Sequence, residues 1–199
     1  VETNIERILG VLRWVVVEME HRYRLLESAH ARDLEAYNRK ITRKAEGKAI
    51  PRIVVLIDEL ADLMMSAPDV TEHNLVRLAQ MARATGIHLV VATQRPSTDV
   101  VTGLIKANFP ARLAFAVASG IDSRVILDYT GAESLLGRGD MLFLNPEVGN
   151  PVRAQGVMIT DMEIERIISH WQKSDIEVDD VPPWEKLLQE PGENEDDGL

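Results

Sequence analysis

The sequence contains no cysteine, few aromatic residues and no long apolar segment. The absence of cysteine excludes a disulfide framework, a thiolate metal site and a thiol nucleophile. The apolar runs all fall short of the roughly 18 to 20 residues that a membrane-spanning helix needs, so we expect no membrane contact from this segment. The first ten residues lack a basic region followed by an apolar core, which a signal peptide would have.

Acidic residues are in excess, and their distribution is uneven. The chain has 199 residues, 45% of them hydrophobic, and a formal net charge of -10. This charge argues against a protein that coats nucleic acid through a generally basic surface. Between Arg77 and Arg124, however, six basic residues face only two acidic ones, Asp99 and Asp122. A basic strip of this kind favours local binding of phosphates, whereas ordinary surface scatter is the alternative explanation.

The spacing of apolar residues changes along the chain and indicates how it is organised. Residues from Ile5 to about Ala45 have helical spacing, with a predicted break near Ser28 to Arg32. From Ile53 onward, short apolar segments alternate with helical ones, which is typical of an α/β sheet flanked by helices. We therefore predict a helical segment over residues 1–46, an α/β segment over 47–175, and an acidic linker or tail over 176–199.

Two adjacent carboxylates, Asp58 and Glu59, follow the continuous apolar run from Ile53 to Ile57. Such a run predicts a strand buried on both faces of a parallel sheet. An apolar strand ending in Asp-Glu is the Walker B pattern, in which the Asp holds the Mg²⁺ of a bound nucleotide and the Glu polarises the attacking water. The alternative is a strand that simply ends in solvated acids.

A second polar group follows the next predicted strand, "IHLVVAT", at Gln94 and Arg95. Ligand-binding groups collect at the carboxyl ends of parallel strands, so we expect Gln94 to lie near Asp58 and Glu59. A polar residue there can hydrogen-bond both the attacking water and the terminal phosphate. Taken alone, Gln94 would be interpreted as a loop glutamine.

Five blocks of the sequence are distinctive: "VVLIDELADLMM", "GIHLVVATQRPS", "GLIKANFPARLAF", "IDSRVILDYTGAESLLGRGDMLFL" and "VMITDMEIERIISHW". Together they resemble the FtsK/SpoIIIE family of hexameric DNA translocases. The resemblance implies a RecA-like P-loop NTPase core, present in part, with a mostly parallel central sheet and an N-terminal helical segment. It also implies that residues 47–175 are the carboxyl part of that core. In the family, a hexamer threads double-stranded DNA through its channel using ATP and Mg²⁺.

The resemblance also implies roles for individual residues. Asp58 is expected to bind the metal, Glu59 to act in hydrolysis, and Gln94 to sense the nucleotide. Arg83 is similar to the arginine that reaches the nucleotide site of a neighbouring subunit. The cations expected to contact the DNA backbone are Arg95, Lys106 and Arg124. Gly120 stands where many relatives have a lysine, so this loop offers fewer cations than theirs.

The phosphate-binding P-loop, GxxxxGK[ST], does not occur in the sequence. That loop provides most of the binding to the β- and γ-phosphates, so we expect weak nucleotide binding and negligible hydrolysis by this chain alone. We expect the chain to be the carboxyl part of a longer protein that acts in chromosome segregation and cell division. It would be a cytoplasmic segment of a protein anchored in the bacterial inner membrane.

Two other functions remain open on the sequence. The chain could be a non-catalytic module that binds DNA or a partner motor subunit and donates Arg83 in trans. It could also belong to a conjugative coupling ATPase of the same superfamily, which the "TQRPS" and "GLIKANFP" blocks match less well.

Overall fold

The computed structural model describes residues 1–44, 48–173 and 182–185. Within them the helices are α1 (Ile5–Ser28), α2 (Leu34–Lys44), α3 (Leu60–Ser66), α4 (Pro68–Met81), α5 (Gly103–Asn108), α6 (Gly120–Leu127) and α7 (Asp161–Gln172). The strands are β1 (Ile53–Ile57), β2 (Ile87–Val91), β3 (Arg112–Phe115), β4 (Asp140–Leu144) and β5 (Pro151–Gln155). The predicted break between two N-terminal helices and the predicted alternation of strands and helices are both confirmed.

The chain divides into two compact units. Of the described residues, the first unit includes 1–44, 48–95 and 182–185, and the second includes 96–173. The boundaries predicted at residues 46 and 175 remain predictions. The acidic tail predicted for 176–199 lies, apart from 182–185, outside the described residues. No helix among the described ranges is both long and apolar enough to cross a membrane.

The first unit is built on a parallel pair of strands. Strand β1 pairs with β2 in the register Ile53 opposite Ile87 and Ile57 opposite Val91. Helices α3 and α4 make the connection, as parallel pairing requires. Helices α1 and α4 cover one face of the pair, and the buried cluster between them includes Met19, Leu78 and Ile87. This packing fixes the two strands, and therefore the residues that follow them.

The other face of this parallel pair is exposed. Val54, Leu56 and Val90 are 57%, 73% and 50% exposed, although the continuous apolar run predicted a strand covered on both sides. Strand residues alternate between faces, so the covered side holds Ile53 and Val55, which pack against the α1–α4 cluster. Burial of β1 is therefore one-sided in this structure.

The second unit contains a three-stranded antiparallel sheet in the order β3-β4-β5. Residues 145–150 join β4 to β5, a connection too short for the crossover that parallel pairing needs. Leu127 of α6 and Leu144 of β4 are buried together in the core of this unit. The parallel sheet expected from the sequence is thus found in β1–β2, and the later strands pair antiparallel.

Thr160 caps the start of helix α7. The Thr160 hydroxyl accepts from the backbone N of Glu163, and the Glu163 carboxylate accepts from the backbone N of Thr160, which completes a capping box.

Candidate functional site

The carboxyl ends of β1 and β2 bring several of the predicted site residues together. Asp58 and Glu59 follow β1 directly, and Gln94 and Arg95 follow β2 by three and four residues. The backbone joins the two ends, because Ala92 N donates to Ile57 O at 2.8 Å and Leu60 N donates to Ala92 O at 2.8 Å. Parallel pairing therefore places these side chains at one edge, as the sequence predicts.

Glu59 makes more hydrogen bonds than any other residue predicted for the site. Its Oε1 accepts from Ala61 N at 3.0 Å, which caps helix α3. The same oxygen accepts from the Thr93 hydroxyl. Its Oε2 accepts from Gln94 N at 2.9 Å. The carboxylate thus joins the start of α3 to the loop after β2.

These contacts keep Glu59 ionised. Partial burial by itself would raise the pKa of the Glu59 carboxyl. The hydrogen bonds from Thr93, Gln94 and Ala61 outweigh that effect, with a smaller contribution from the charge of Arg95, and the pKa lies below its ordinary value. Glu59 is therefore a carboxylate at neutral pH.

Asp58, the adjacent residue, is exposed, and no hydrogen bond or ion pair of its side chain is found within the described ranges. The described residues also hold no cluster of three potential metal ligands. A single free carboxylate suits Mg²⁺, which in nucleotide sites takes one or two protein carboxylates and fills its other positions with phosphate oxygens and water. The donor chemistry of Asp58 therefore fits a nucleotide-bound Mg²⁺.

Arg95 lies in the loop that follows β2. Its backbone N donates to Thr93 Oγ1 at 3.1 Å, and its guanidinium lies 3.5 Å from Met65 Sδ. The side chain is exposed. Arg95 is therefore accessible to a ligand while its backbone is fixed next to the Glu59 contacts.

Arg83 lies at the opposite end of the strands from Asp58, Glu59 and Gln94. It is exposed in the turn of residues 82–86, which precedes the first residue of β2. The buried Arg22 fixes this turn, because its guanidinium donates to Thr85 O at 3.0 Å and to Pro51 O at 2.8 Å. A five-residue strand spans roughly 13 Å between its end residues. Arg83 and Glu59 are consequently not parts of one cluster within a single chain.

The two remaining predicted DNA contacts, Lys106 and Arg124, belong to the second unit. Arg124 is exposed on α6. Lys106 lies on α5, and its Nζ donates to Asp128 Oδ1 at 2.6 Å. Arg112 donates to Asp128 Oδ2 at 2.6 Å and to Ile126 O at 3.0 Å. Lys106 is thus part of an ion-pair triad with Asp128 and Arg112.

Two residues of these networks, Thr93 and Asp128, have no role that was predicted from the sequence. Thr93 carries the hydroxyl that bonds Glu59, and a small polar residue at a strand end next to Gln94 was the only available signal. Asp128 ends α6 in the left-handed conformation at φ 63°, where Asp is tolerated. Its two cationic partners precede it by 22 and 16 residues, a pairing that sequence spacing does not reveal.

Comparison with known proteins identifies close relatives. The FtsK/SpoIIIE family model matches residues 1–98. DNA translocase SftA of Bacillus subtilis is 54% identical over 168 residues, which are 84% of this chain and 18% of that protein. DNA translocase FtsK of Treponema pallidum is 52% identical over 169 residues, or 84% of this chain and 21% of that protein. The chain thus spans about a fifth of the length of these curated relatives.

A solved structure supports the fold. The pCW3 conjugation coupling protein TcpA, in its monomer form with ATPγS, matches with a TM-score of 0.75 and 31% identity. The match covers 86% of this chain and 50% of that one. Together with the parallel pair β1–β2, it confirms the predicted α/β class, part of a RecA-like P-loop NTPase core.

Proposed function

Because this chain belongs to the FtsK/SpoIIIE family, we propose that it is part of an ATP-driven motor that moves double-stranded DNA. Its role would be in chromosome segregation and cell division. The observation that carries the proposal is the shared edge of β1 and β2, where Asp58 and Glu59 lie next to the loop of Gln94. That edge has the residues of a nucleotide-hydrolysis site without its phosphate-binding loop.

In this site the residues have separate roles. Asp58 would hold the Mg²⁺ of the nucleotide, since it is an exposed carboxylate next to the edge. When bound, Mg²⁺ offsets the charge of the phosphate oxygens. Glu59 would orient the attacking water and accept a proton from it. The exposed Gln94 amide would contact the terminal phosphate.

The rest of the nucleotide site would come from outside this chain. The exposed apolar face of β1–β2 supports this proposal, because the sheets of α/β proteins are normally covered on both faces. We propose that the part of the core bearing the P-loop covers that face.

DNA would be held through its phosphates, which recur in every sequence and therefore suit a motor that must move along any DNA. Arg95 and Arg124 are exposed and have the charge for this role. Lys106 would contribute less, because Asp128 already offsets its charge.

Self-association into a hexamer is also part of the proposal. Arg83 lies at the other end of the strands from Glu59, which supports action on the site of a neighbouring subunit rather than its own. An arginine finger of this kind contributes about 10³ to 10⁵ in rate. We propose that this segment is cytoplasmic and that the intact protein is anchored in the inner membrane.

The test is Glu59→Ala in the complete motor protein. We expect ATP turnover to be lost while ATP binding is retained, because Glu59 acts on the water and Asp58 on the metal. The matched control is Asp62→Ala, which removes an exposed carboxylate from α3, the helix that Glu59 caps, and should leave turnover within about twofold. Normal turnover in Glu59→Ala would refute the assignment.

A non-catalytic module remains the second candidate, and the absence of a GxxxxGK[ST] motif from the sequence favours it. A chain without a P-loop motif could still donate Arg83 to a nucleotide site that another subunit completes. Both ideas predict no ATP turnover by the 199-residue chain alone. The coding sequence upstream of Val1 separates them: a GxxxxGK[ST] loop there supports the motor, whereas a start of the protein near Val1 supports the module.

A further inference from the structure

Thr93 connects the Glu59 carboxylate to the loop that carries Arg95. The Thr93 hydroxyl donates to Glu59 Oε1, and the same hydroxyl oxygen accepts from Arg95 N at 3.1 Å. Gln94, the residue between them, donates its backbone N to Glu59 Oε2 at 2.9 Å. Three consecutive residues, Thr93 to Arg95, therefore form one hydrogen-bond network with Glu59.

Hydrogen-bond donors of the protein itself occupy most of the acceptor positions of the Glu59 carboxylate. A carboxylate offers roughly four lone-pair directions, and Ala61 N, the Thr93 hydroxyl and Gln94 N occupy three of them. A general base must accept a hydrogen bond from the water that it activates. In the present arrangement Glu59 is bonded mainly to its own protein.

Two of the three donors are on the loop and one is not. Ala61 N belongs to α3 and keeps its bond for as long as the helix is capped. The Thr93 and Gln94 donors follow β2 and are continuous with the exposed Arg95. A displacement of the loop would therefore remove both of these donors together and leave the helix cap in place.

We propose that Thr93 is a positioning residue that holds Glu59 on the loop and makes ATP hydrolysis depend on DNA. This proposal rests on the proposed function, in which Glu59 acts in hydrolysis and Arg95 contacts DNA phosphates. When DNA binds Arg95, the loop moves, Thr93 and Gln94 leave the carboxylate, and Glu59 becomes available to the water. Without DNA, the latch formed by Thr93 and Gln94 N keeps turnover low.

The test replaces the hydroxyl in the complete motor protein. Thr93→Val keeps the shape of the side chain and removes its donor, so DNA-free turnover should rise by up to about tenfold, as loss of one hydrogen bond to a charged group permits. Maximal turnover on linear double-stranded DNA of mixed sequence should stay near the wild-type value, so the stimulation by DNA falls. The KM for ATP should not change, because Thr93 bonds Glu59 and Arg95, and neither of them holds the nucleotide phosphates in the proposed site. Thr93→Ser restores a hydroxyl and should restore the stimulation.

Other outcomes would overturn the latch. If Thr93→Val lowers turnover by the same factor with and without DNA, Thr93 aligns Glu59 for catalysis. If neither rate changes, the hydrogen bond has no part in control. The proposed function fails separately: it is refuted when the wild-type motor shows no DNA-stimulated turnover or when Glu59→Ala turns over normally, whatever Thr93→Val does.

Amide hydrogen exchange gives a second measurement that needs no variant. The amide of Gln94 donates to Glu59 across the latch, whereas the amide of Arg95 donates to Thr93 within the loop. Addition of the same DNA to the wild-type motor should accelerate exchange of the Gln94 amide while the amide of Ala61 stays protected. Unchanged protection of Gln94 in the DNA-bound state would overturn the proposal.

Discussion

Two carboxylates, Glu59 in the first unit and Asp128 in the second, are both surrounded by hydrogen-bond donors, but the donors differ in charge. Those of Glu59 are a hydroxyl and two backbone amides. Those of Asp128 are the side chains of Lys106 and Arg112. Glu59 is therefore held in position without any charged hydrogen-bond donor, whereas Asp128 offsets the charge of two cations. The negative charge of Glu59 therefore remains available for chemistry, whereas that of Asp128 stabilises the fold.

This difference changes the weight of the predicted DNA contacts. Lys106 has the same formal charge as Arg95 and Arg124, but it is bonded to Asp128 and only 26% of its side chain is exposed. A phosphate would have to compete with Asp128 for Lys106. Arg95 and Arg124 are exposed and therefore remain the stronger predictions for contacts with DNA.

The largest effect that separates the two carboxylates should be on stability. Asp128→Asn removes the charge but keeps a residue that tolerates the left-handed conformation. We expect it to lower the unfolding free energy by about 1–2 kcal/mol, the worth of two charge-assisted bonds reduced for a half-exposed carboxylate. Glu59→Gln keeps an acceptor oxygen for the α3 cap and should cost less than about 1 kcal/mol.

Urea unfolding of the chain measures both values, with the exposed Asp62→Asn as the control. Equal losses for Asp128→Asn and Glu59→Gln would abolish the distinction between a structural and a functional carboxylate.

The next effect is on binding of double-stranded DNA, and it tests whether Lys106 is available. A cation that contacts a phosphate contributes about 0.9 to the slope of log affinity against log salt concentration. Arg95→Ala in the complete motor should reduce that slope by about one. Lys106→Ala should reduce it by less than half as much, because Asp128 shares its charge.

Compared with Asp128→Asn alone, the double variant Lys106→Ala with Asp128→Asn measures what Lys106 contributes to the slope when Asp128 no longer shares its charge. If Lys106→Ala alone changes the slope as much as Arg95→Ala does, the triad does not restrain Lys106.

Much of this structure could be predicted from the sequence, for identifiable reasons. The period of apolar residues predicted the helices and strands. Because the carboxyl ends of parallel strands meet at one edge of a sheet, Gln94 was predicted to lie beside Glu59. The antiparallel pairing of β3, β4 and β5 was not predicted, because an apolar run indicates a strand but not its partner. The exposed side of β1, with Leu56 at 73% exposure, was also missed, since burial depends on what packs against the strand.

The contacts of the candidate site were harder to predict than its location. Glu59 stood out because two acids rarely end a buried strand without function. Thr93 has no such signal, since threonine is common in strands for its branched side chain. The partnership of Lys106 with Asp128 joins positions that only the fold brings together. Sequence patterns therefore located the residues at the strand ends and missed Thr93 and Asp128, the partners that hold Glu59 and Lys106.

The smallest effect is on the response of stability to pH and salt. The hydrogen bond from Lys106, aided by Arg112 and opposed by partial burial, lowers the pKa of Asp128 below its ordinary value. A carboxyl with a lowered folded-state pKa stabilises the protein above the unfolded-state pKa of about 3.9, and this contribution is lost as pH falls through the folded-state value. The stability gap between wild type and Asp128→Asn should thus be full at pH 7 and shrink below about pH 4.

Salt then distinguishes the two carboxylates. The partners of Asp128 are cations at a half-exposed site, so 1 M NaCl should narrow the stability gap between wild type and Asp128→Asn at pH 7. The gap between wild type and Glu59→Gln depends on neutral donors and should stay nearly constant. Urea unfolding at pH 7, 4 and 3, with and without the salt, measures both gaps. A salt-sensitive gap at Glu59 would mean that a cation holds it after all, and the contrast with Asp128 would then be wrong.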